Sequence, residues 1–155
     1  MKNKFTNSLQ KAKDYAFLLL KFRPRSEAEI CERLKKKKFD EKTIKETLSF
    51  LKEKNFIDDT QFTKAWIESR LKRPLGIRRI VLELKSKGIK NVVIDNQLEE
   101  LKKNYSEEKI VNDIAQKKFA KLKNIEPDKA KRRILSYLLR RGFSPKVVFE
   151  VIDQL

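Results

Sequence analysis

The chain has 155 residues, 39% of them apolar and 39% charged, and its 39 lysines and arginines against 22 acids give a net charge of +17. It contains no histidine, so the commonest general base and metal ligand is missing, and its one cysteine, Cys31, can form neither an internal disulfide nor a thiolate metal site. The longest apolar run, Ala16 to Leu20, is too short for a membrane span or a secretory signal, so the expectation is a soluble, cytoplasmic protein with no membrane partner.

Residues 1–8 are polar and are expected to fray. From Leu9 to Phe22 the apolar positions Ala12, Tyr15, Ala16, Leu19 and Leu20 follow helical spacing, and the helix is expected to stop before Arg23-Pro24. Ser26 with Glu29 three residues on forms a capping box for a second helix reaching about Lys37, and Asp40 caps a third through Leu51. Asp58 with Gln61 starts a fourth, carrying Phe62, Ala65, Trp66 and Ser69 on its apolar face and ending near Arg73-Pro74. Gly76 precedes a fifth helix with Ile80 and Leu84, and after Gly88 a sixth carries Val92, Ile94, Leu98 and Leu101. Ser106 caps a seventh with Ile110, Val111, Ile114, Ala115, Phe119 and Leu122, and Glu126-Pro127-Asp128 opens an eighth that Gly142 ends. Ser144-Pro145 then starts a ninth, from Lys146 to Leu155.

Three stretches share one ruler. The anchors Ile80, Leu84, Ile89, Ile94 and Leu98 are spaced 4, 5, 5 and 4 residues apart, as are Ile30, Leu34, Phe39, Ile44 and Leu48, and Ile134, Leu138, Phe143, Val148 and Ile152. Residues at i and i+4 share a helix face, and a glycine just before the middle anchor ends that helix in a left-handed turn. The turn column holds Lys38, Gly88 and Gly142. A recurring period of this kind marks stacked repeats, so the expected fold is all-α: three tandem three-helix repeats, at 1–56, 57–104 and 105–155, forming an elongated, curved array.

No nucleophile pairs with a base at a recognisable spacing and no glycine-rich phosphate loop is present, so neither an enzyme nor a cofactor is expected. The acidic pair Asp58-Asp59 reads as a helix start rather than a metal site. Cys31 lies beside Ile30 and reads as a buried, inert thiol, and Trp66 reads as core. Basic charge in every third of the chain implies an anionic partner, most often nucleic acid, although lysines outnumber arginines 28 to 11 and part of the bias is compositional. Against that lysine background, Arg78-Arg79 and Arg132-Arg133 fill the same two slots before Ile80 and Ile134, where the first repeat has Ala28 and Glu29. Helical geometry turns Arg78, Lys85 and Arg132 away from the apolar stripe, as a row able to meet spaced phosphates or carboxylates. The plainer reading is a solvated face with local ion pairs to Glu83.

The segment Phe56 to Ile89 resembles the signature of the RecX regulatory proteins: an acidic pair after an apolar turn, Trp66, Arg70, Gly76, Arg79-Ile80, Glu83-Leu84 and Lys87-Gly88-Ile89. Arg25-Ser26 through Glu29 and Arg33-Leu34 is similar to the family's opening motif, and the family too is built from three three-helix repeats. Lys38 departs from the usual glycine, and Thr63 from a common alanine. The resemblance implies a modulator that binds the RecA filament on single-stranded DNA and inhibits its ATPase, strand-exchange and coprotease activities, in DNA repair by homologous recombination and the SOS response. The residues expected to contact RecA or DNA are Arg70, Arg73, Arg78, Arg79, Lys85, Arg132, Arg133, Arg140 and Arg141, on a chain acting as a monomer. The alternative is a stand-alone basic DNA-binding protein of helix-turn-helix type.

Overall fold

A computed structural model describes residues 2–155, and among them it contains nine α-helices and no strand. They are α1 (Lys2–Phe22), α2 (Glu27–Lys36), α3 (Glu41–Glu53), α4 (Asp59–Leu71), α5 (Ile77–Ser86), α6 (Asn91–Lys102), α7 (Glu107–Lys121), α8 (Pro127–Arg140) and α9 (Pro145–Asp153).

The caps explain most of these boundaries. Ser26 accepts the Glu29 amide at 3.1 Å while Glu29 accepts the Ser26 amide at 3.0 Å, which closes the capping box of α2. Asp40 accepts the Thr43 amide at 2.8 Å, and Asp58 accepts the amides of Thr60 and Gln61 at 2.9 and 3.1 Å. Glu126 caps α8 through the amides of Asp128 and Lys129. Ser144 makes no side-chain cap, and its own amide donates to Glu107 Oε1 at 3.2 Å.

The first boundary differs from the expectation. Helix α1 begins at Lys2 rather than Leu9, and Met1 lies outside the described residues. Polarity alone does not stop a helix, and no glycine or proline occurs before Phe22.

The five-anchor ruler marks the buried positions. Thirteen of its fifteen residues are buried, and Phe39 and Leu98 are half-buried. The turn column is equally regular. Phe39, Ile89 and Phe143 donate their amides to the carbonyls of Leu34, Leu84 and Leu138 at 3.3, 3.2 and 3.3 Å, and the preceding residues donate to Lys35, Lys85 and Leu139 at 2.9, 3.0 and 3.0 Å. This is the paired hydrogen bonding of a Schellman cap, made three times, and the central residue is left-handed each time: φ is 65° at Lys38, 73° at Gly88 and 85° at Gly142. The turn therefore survives the loss of its glycine in the first repeat.

Helix α4 corrects the sequence reading. Its buried face is Phe62, Thr63 and Ile67, whereas Ala65 and Ser69 are exposed and Trp66 is half-buried. Thr63 is fully buried and returns its hydroxyl to the Asp59 carbonyl at 2.7 Å, so it fits where a smaller residue was expected. Val92 of α6 is exposed, and Cys31 is half-buried rather than buried.

The chain divides into two compact units, 1–65 with 84–94, and 66–83 with 95–155. In the first, α1, α2 and α3 pack pairwise around Ala12, Ala16, Ile30, Leu34, Ile44, Leu48 and Leu51, and Phe17 meets Phe56 edge-on at 4.8 Å. In the second, α7, α8 and α9 close in the same way around Val111, Ala115, Ile134, Leu138, Phe143, Val148 and Ile152.

Candidate functional site

The site is built where the turn after the second helix of one repeat meets the start of the second helix of the repeat before it. The first such joint lies within the first compact unit. Ser26, fully buried, donates its hydroxyl to the Lys87 carbonyl at 2.6 Å, and a side chain on Gly88 would run into the Cβ of Ala28. Lys87 Nζ reaches Glu29 Oε1 at 3.1 Å, and Arg23 pairs with the same carboxylate at 2.9 Å. Burial opposes its ionisation, yet hydrogen bonds from Arg23, the Ser26 amide and Lys87 hold the Glu29 carboxyl down to about 2. Asp59 Oδ1 adds a further bond, accepting the Glu27 amide at 2.9 Å, and burial pushes its carboxyl above the usual range.

The second joint lies within the second compact unit and docks the corresponding turn, here through a backbone amide. Gly76, in the column of Ser26, donates its amide to the carbonyl of Arg141, in the column of Lys87, at 2.9 Å. A side chain on Gly76 would collide with the backbone of Gly142 and Phe143, and one on Gly142 with the backbone and Cβ of Arg79. One charge changes sign. The slot of Glu29 holds Arg79, which lines one depression with Arg141 as a like charge.

A single carboxylate, Glu83, organises this region. Its Oε2 accepts Arg70 Nε at 2.7 Å and Trp66 Nε1 at 3.0 Å, its Oε1 lies 3.5 Å from Arg79 Nε, and the Arg70 guanidinium sits 4.3 Å over the Trp66 ring. Trp66 is thus an amphipathic strut with its indole N–H committed, not a core residue.

Three adjoining depressions in the second unit share the Arg140 side chain. One of about 400 Å³ is lined by Arg70, Arg73, Leu75, Arg79, Glu83, Arg140 and Arg141. A second, of about 300 Å³, is lined by Arg78, Arg79 and Arg140 with Leu82, Leu139, Phe143 and Pro145. The third, of about 740 Å³, has an apolar floor of Leu122, Ile134 and Tyr137 and a rim of Lys118, Lys121, Lys129, Arg132, Arg133 and Arg140, with no carboxylate in its lining. Lys118 Nζ lies 3.8 Å from the centre of the Tyr137 ring and the Arg141 guanidinium 5.2 Å.

The structure therefore gathers eight of the nine candidate residues: Arg70, Arg73, Arg78, Arg79, Arg132, Arg133, Arg140 and Arg141 line these depressions. They are eight of the chain's eleven arginines, a concentration that a general lysine bias does not produce. Lys85, the ninth, is exposed and belongs to the first unit. The plainer reading accounts for Arg70 and Arg79, which pair with Glu83. It does not account for Arg73, Arg132, Arg133, Arg140 and Arg141, which have no carboxylate at salt-bridge distance among the described residues. Arg78 acts at longer range: burial pushes the Glu107 carboxyl up, and the Ser144 amide and then the Arg78 charge oppose that push only in part. Lys118, Lys121, Lys129 and Tyr137 were not anticipated, because nothing local separates these lysines from the many others. Among the described residues no cluster of three or more His, Cys, Asp or Glu could hold a metal ion, and no helix is long and apolar enough to cross a membrane.

Comparison with known proteins follows the same three-part division. Sequence models of the first, second and third three-helix domains of RecX match residues 12–51, 58–98 and 106–152. Regulatory protein RecX of Clostridium beijerinckii is 34% identical, with 97% of this chain and 70% of that protein covered, and its namesake in Chlorobium phaeobacteroides is 35% identical over 94% of each. The chain belongs to the RecX family. A crystal structure of RecX from Lactobacillus salivarius has a TM-score of 0.83 over 97% of both chains at 20% identity. A crystal structure of regulatory protein RecX has a TM-score of 0.79, covering 97% of this chain and 74% of that one at 21% identity. At these identities the likeness bears on the fold alone. The RecX-like signature now has a physical content in this chain, since Trp66, Arg70, Arg79 and Glu83 form one hydrogen-bonded network and Gly76 provides the close backbone approach beside it.

Proposed function

We propose that this member of a family of regulatory proteins is a non-enzymatic, cytoplasmic monomer of three repeats, at 1–56, 57–104 and 105–155. In this reading it binds the RecA filament on single-stranded DNA and inhibits its ATPase, recombinase and coprotease activities, in homologous recombination and the SOS response. The observation that carries the reading is the collection of eight arginines in three depressions that share Arg140, five of the eight without a carboxylate at salt-bridge distance among the described residues. Unpaired guanidinium groups are suited to bidentate capture of phosphates or carboxylates, and a protein filament on single-stranded DNA offers both. Arg73, Arg132, Arg133, Arg140 and Arg141 make the primary contacts, Arg78 and Lys85 add peripheral ones, and Arg70 and Arg79 are held in place by Glu83.

The test is the ATPase of RecA on single-stranded DNA with stoichiometric protein added. A several-fold fall in rate is expected, and an unchanged rate overturns the proposal. A mobility shift on bare duplex DNA at two salt concentrations separates the alternative: sequence-selective binding that survives near-physiological salt would favour a stand-alone DNA-binding module, whereas weak binding with a steep salt dependence fits a filament ligand.

A further inference from the structure

We propose that the second joint takes up a phosphoryl oxyanion, which does there what the carboxylate of Glu29 does in the first, so that closure of the second joint responds to anions while closure of the first does not. The inference goes beyond the filament reading and stands without it, since it concerns how this chain holds its own repeats together.

The repeat supplies the comparison. In the first joint the turn cation, Lys87, meets a carboxylate at 3.1 Å, and that carboxylate also takes Arg23 at 2.9 Å. The corresponding pair in the second joint is Arg79 and Arg141, both cationic, and they line one cleft with Arg70, Arg73 and Arg140. Only Glu83 opposes these five guanidinium groups, and it is already engaged by Trp66, Arg70 and Arg79. The backbone bond from Gly76 to Arg141 is nevertheless made, at 2.9 Å. The joint therefore closes against its own like charge.

The chemistry of the occupant follows from the donors. Arginines reach this cleft from three places: Arg70 on α4 with Arg73 just beyond its end, Arg79 on α5, and Arg140 with Arg141 at the end of α8. A carboxylate offers two oxygens and one charge, enough for one guanidinium fork. A phosphoryl group presents acceptor oxygens in several directions and is the ligand that converging arginine forks match. At about 400 Å³ the cleft holds a phosphate with water around it. A free phosphate and a backbone phosphate of single-stranded nucleic acid share this chemistry. By linkage, an anion that binds only the closed joint must stabilise it.

Residue-resolved hydrogen exchange by NMR on the full chain, with no RecA present, tests this directly. The Gly76 amide reports the second joint, because its acceptor is the Arg141 carbonyl, and the Glu27 amide, bonded to Asp59, reports the first. Sodium chloride is replaced stepwise by sodium phosphate at constant ionic strength, and a parallel series adds a short oligothymidylate. Gly76 exchange is expected to slow at least threefold, saturably, with Glu27 unchanged. A response to phosphate points to the free ion as a sufficient ligand, and a response to the oligonucleotide alone points to the nucleic-acid backbone. In Arg79→Glu, which restores the carboxylate of the first joint, Gly76 is expected to exchange slowly in chloride and phosphate is expected to add nothing. Arg140→Gln, which leaves the docking backbone intact, is expected to weaken the response without abolishing the Gly76 bond. If Gly76 exchanges alike in chloride, phosphate and oligonucleotide, or if Gly76 and Glu27 slow together as under a general ion effect, the proposal is overturned.

Discussion

The two joints dock the same turn on the same helix start, through the carbonyl of the same column, and differ in electrostatics. In the first, a serine hydroxyl and a carboxylate fasten the turn of the next repeat, and that carboxylate pairs with both Lys87 and Arg23. In the second, a glycine amide replaces the serine hydroxyl, arginine replaces the carboxylate, and cations collect around a single glutamate. Stacking thus depends on the shape of the turn, which both joints share, while the side chains beside it are free to serve as fasteners or as a surface for something else. The first joint uses its charges to fasten the turn, and the second leaves arginines lining an open cleft.

The comparison can be broken most severely at its shared part. Gly142→Ala forces a side chain into a left-handed position and against the Arg79 backbone, and is expected to cost about 2–4 kcal/mol, read by urea unfolding. If it costs nothing, the turn is not what docks the repeats. Glu83→Gln comes next, at about 1–3 kcal/mol, because it leaves Arg70 and Arg79 without their charged acceptor. The same change is expected to strengthen anion binding in the cleft, so a titration with phosphate should move in the opposite direction to stability.

Glu29→Gln sharpens the contrast through pH. With its carboxyl held at about 2 in the folded protein, Glu29 contributes fully above the unfolded value of about 4.3, and that contribution is lost as pH falls toward 2. The variant is expected to lose about 1–2 kcal/mol at neutral pH and to show a flatter stability profile between about pH 5 and pH 2. An unchanged acid limb in a pH series of denaturant melts contradicts the first joint as drawn. The smallest expected effect is a gain. Lys38→Gly relieves a left-handed lysine and should add about 0.5–1 kcal/mol, the relief being partly offset by the greater freedom of glycine in the unfolded chain.

The five-anchor ruler was legible because helical spacing and a turn residue are local facts, and the structure buries thirteen of its fifteen positions. Lys38 shows where local reasoning stops short: the hydrogen bonds from Lys38 to Lys35 and from Phe39 to Leu34 form the turn without glycine. The face of α4 departs from its sequence pattern for a long-range reason. Trp66 does not need the core, because Glu83, seventeen positions later, accepts its indole N–H. Asp59 was identified only with a helix start, and its bond to the Glu27 amide spans 32 positions. The arginine pairs were visible as columns, but that Arg70, Arg73, Arg140 and Arg141 join them in one region depends on how the turn of the third repeat docks beside Gly76. The three lysines on the rim of the α7–α8 depression carry no local mark at all.

In the function proposed above, the unpaired arginines of the second unit, not basic charge in general, engage the RecA filament. This claim is tested most directly by comparing inhibition of the single-strand-dependent RecA ATPase by the wild-type chain and by a variant with Arg73, Arg132 and Arg140 all changed to glutamine. A control of equal net charge carries Lys4, Lys11 and Lys64 changed to glutamine, three exposed lysines with no place in the depressions. The arginine variant is expected to need at least tenfold more protein for half-inhibition while unfolding at the same urea concentration, and the lysine control to inhibit nearly as well as the wild type. Equal inhibition by all three proteins contradicts the claim.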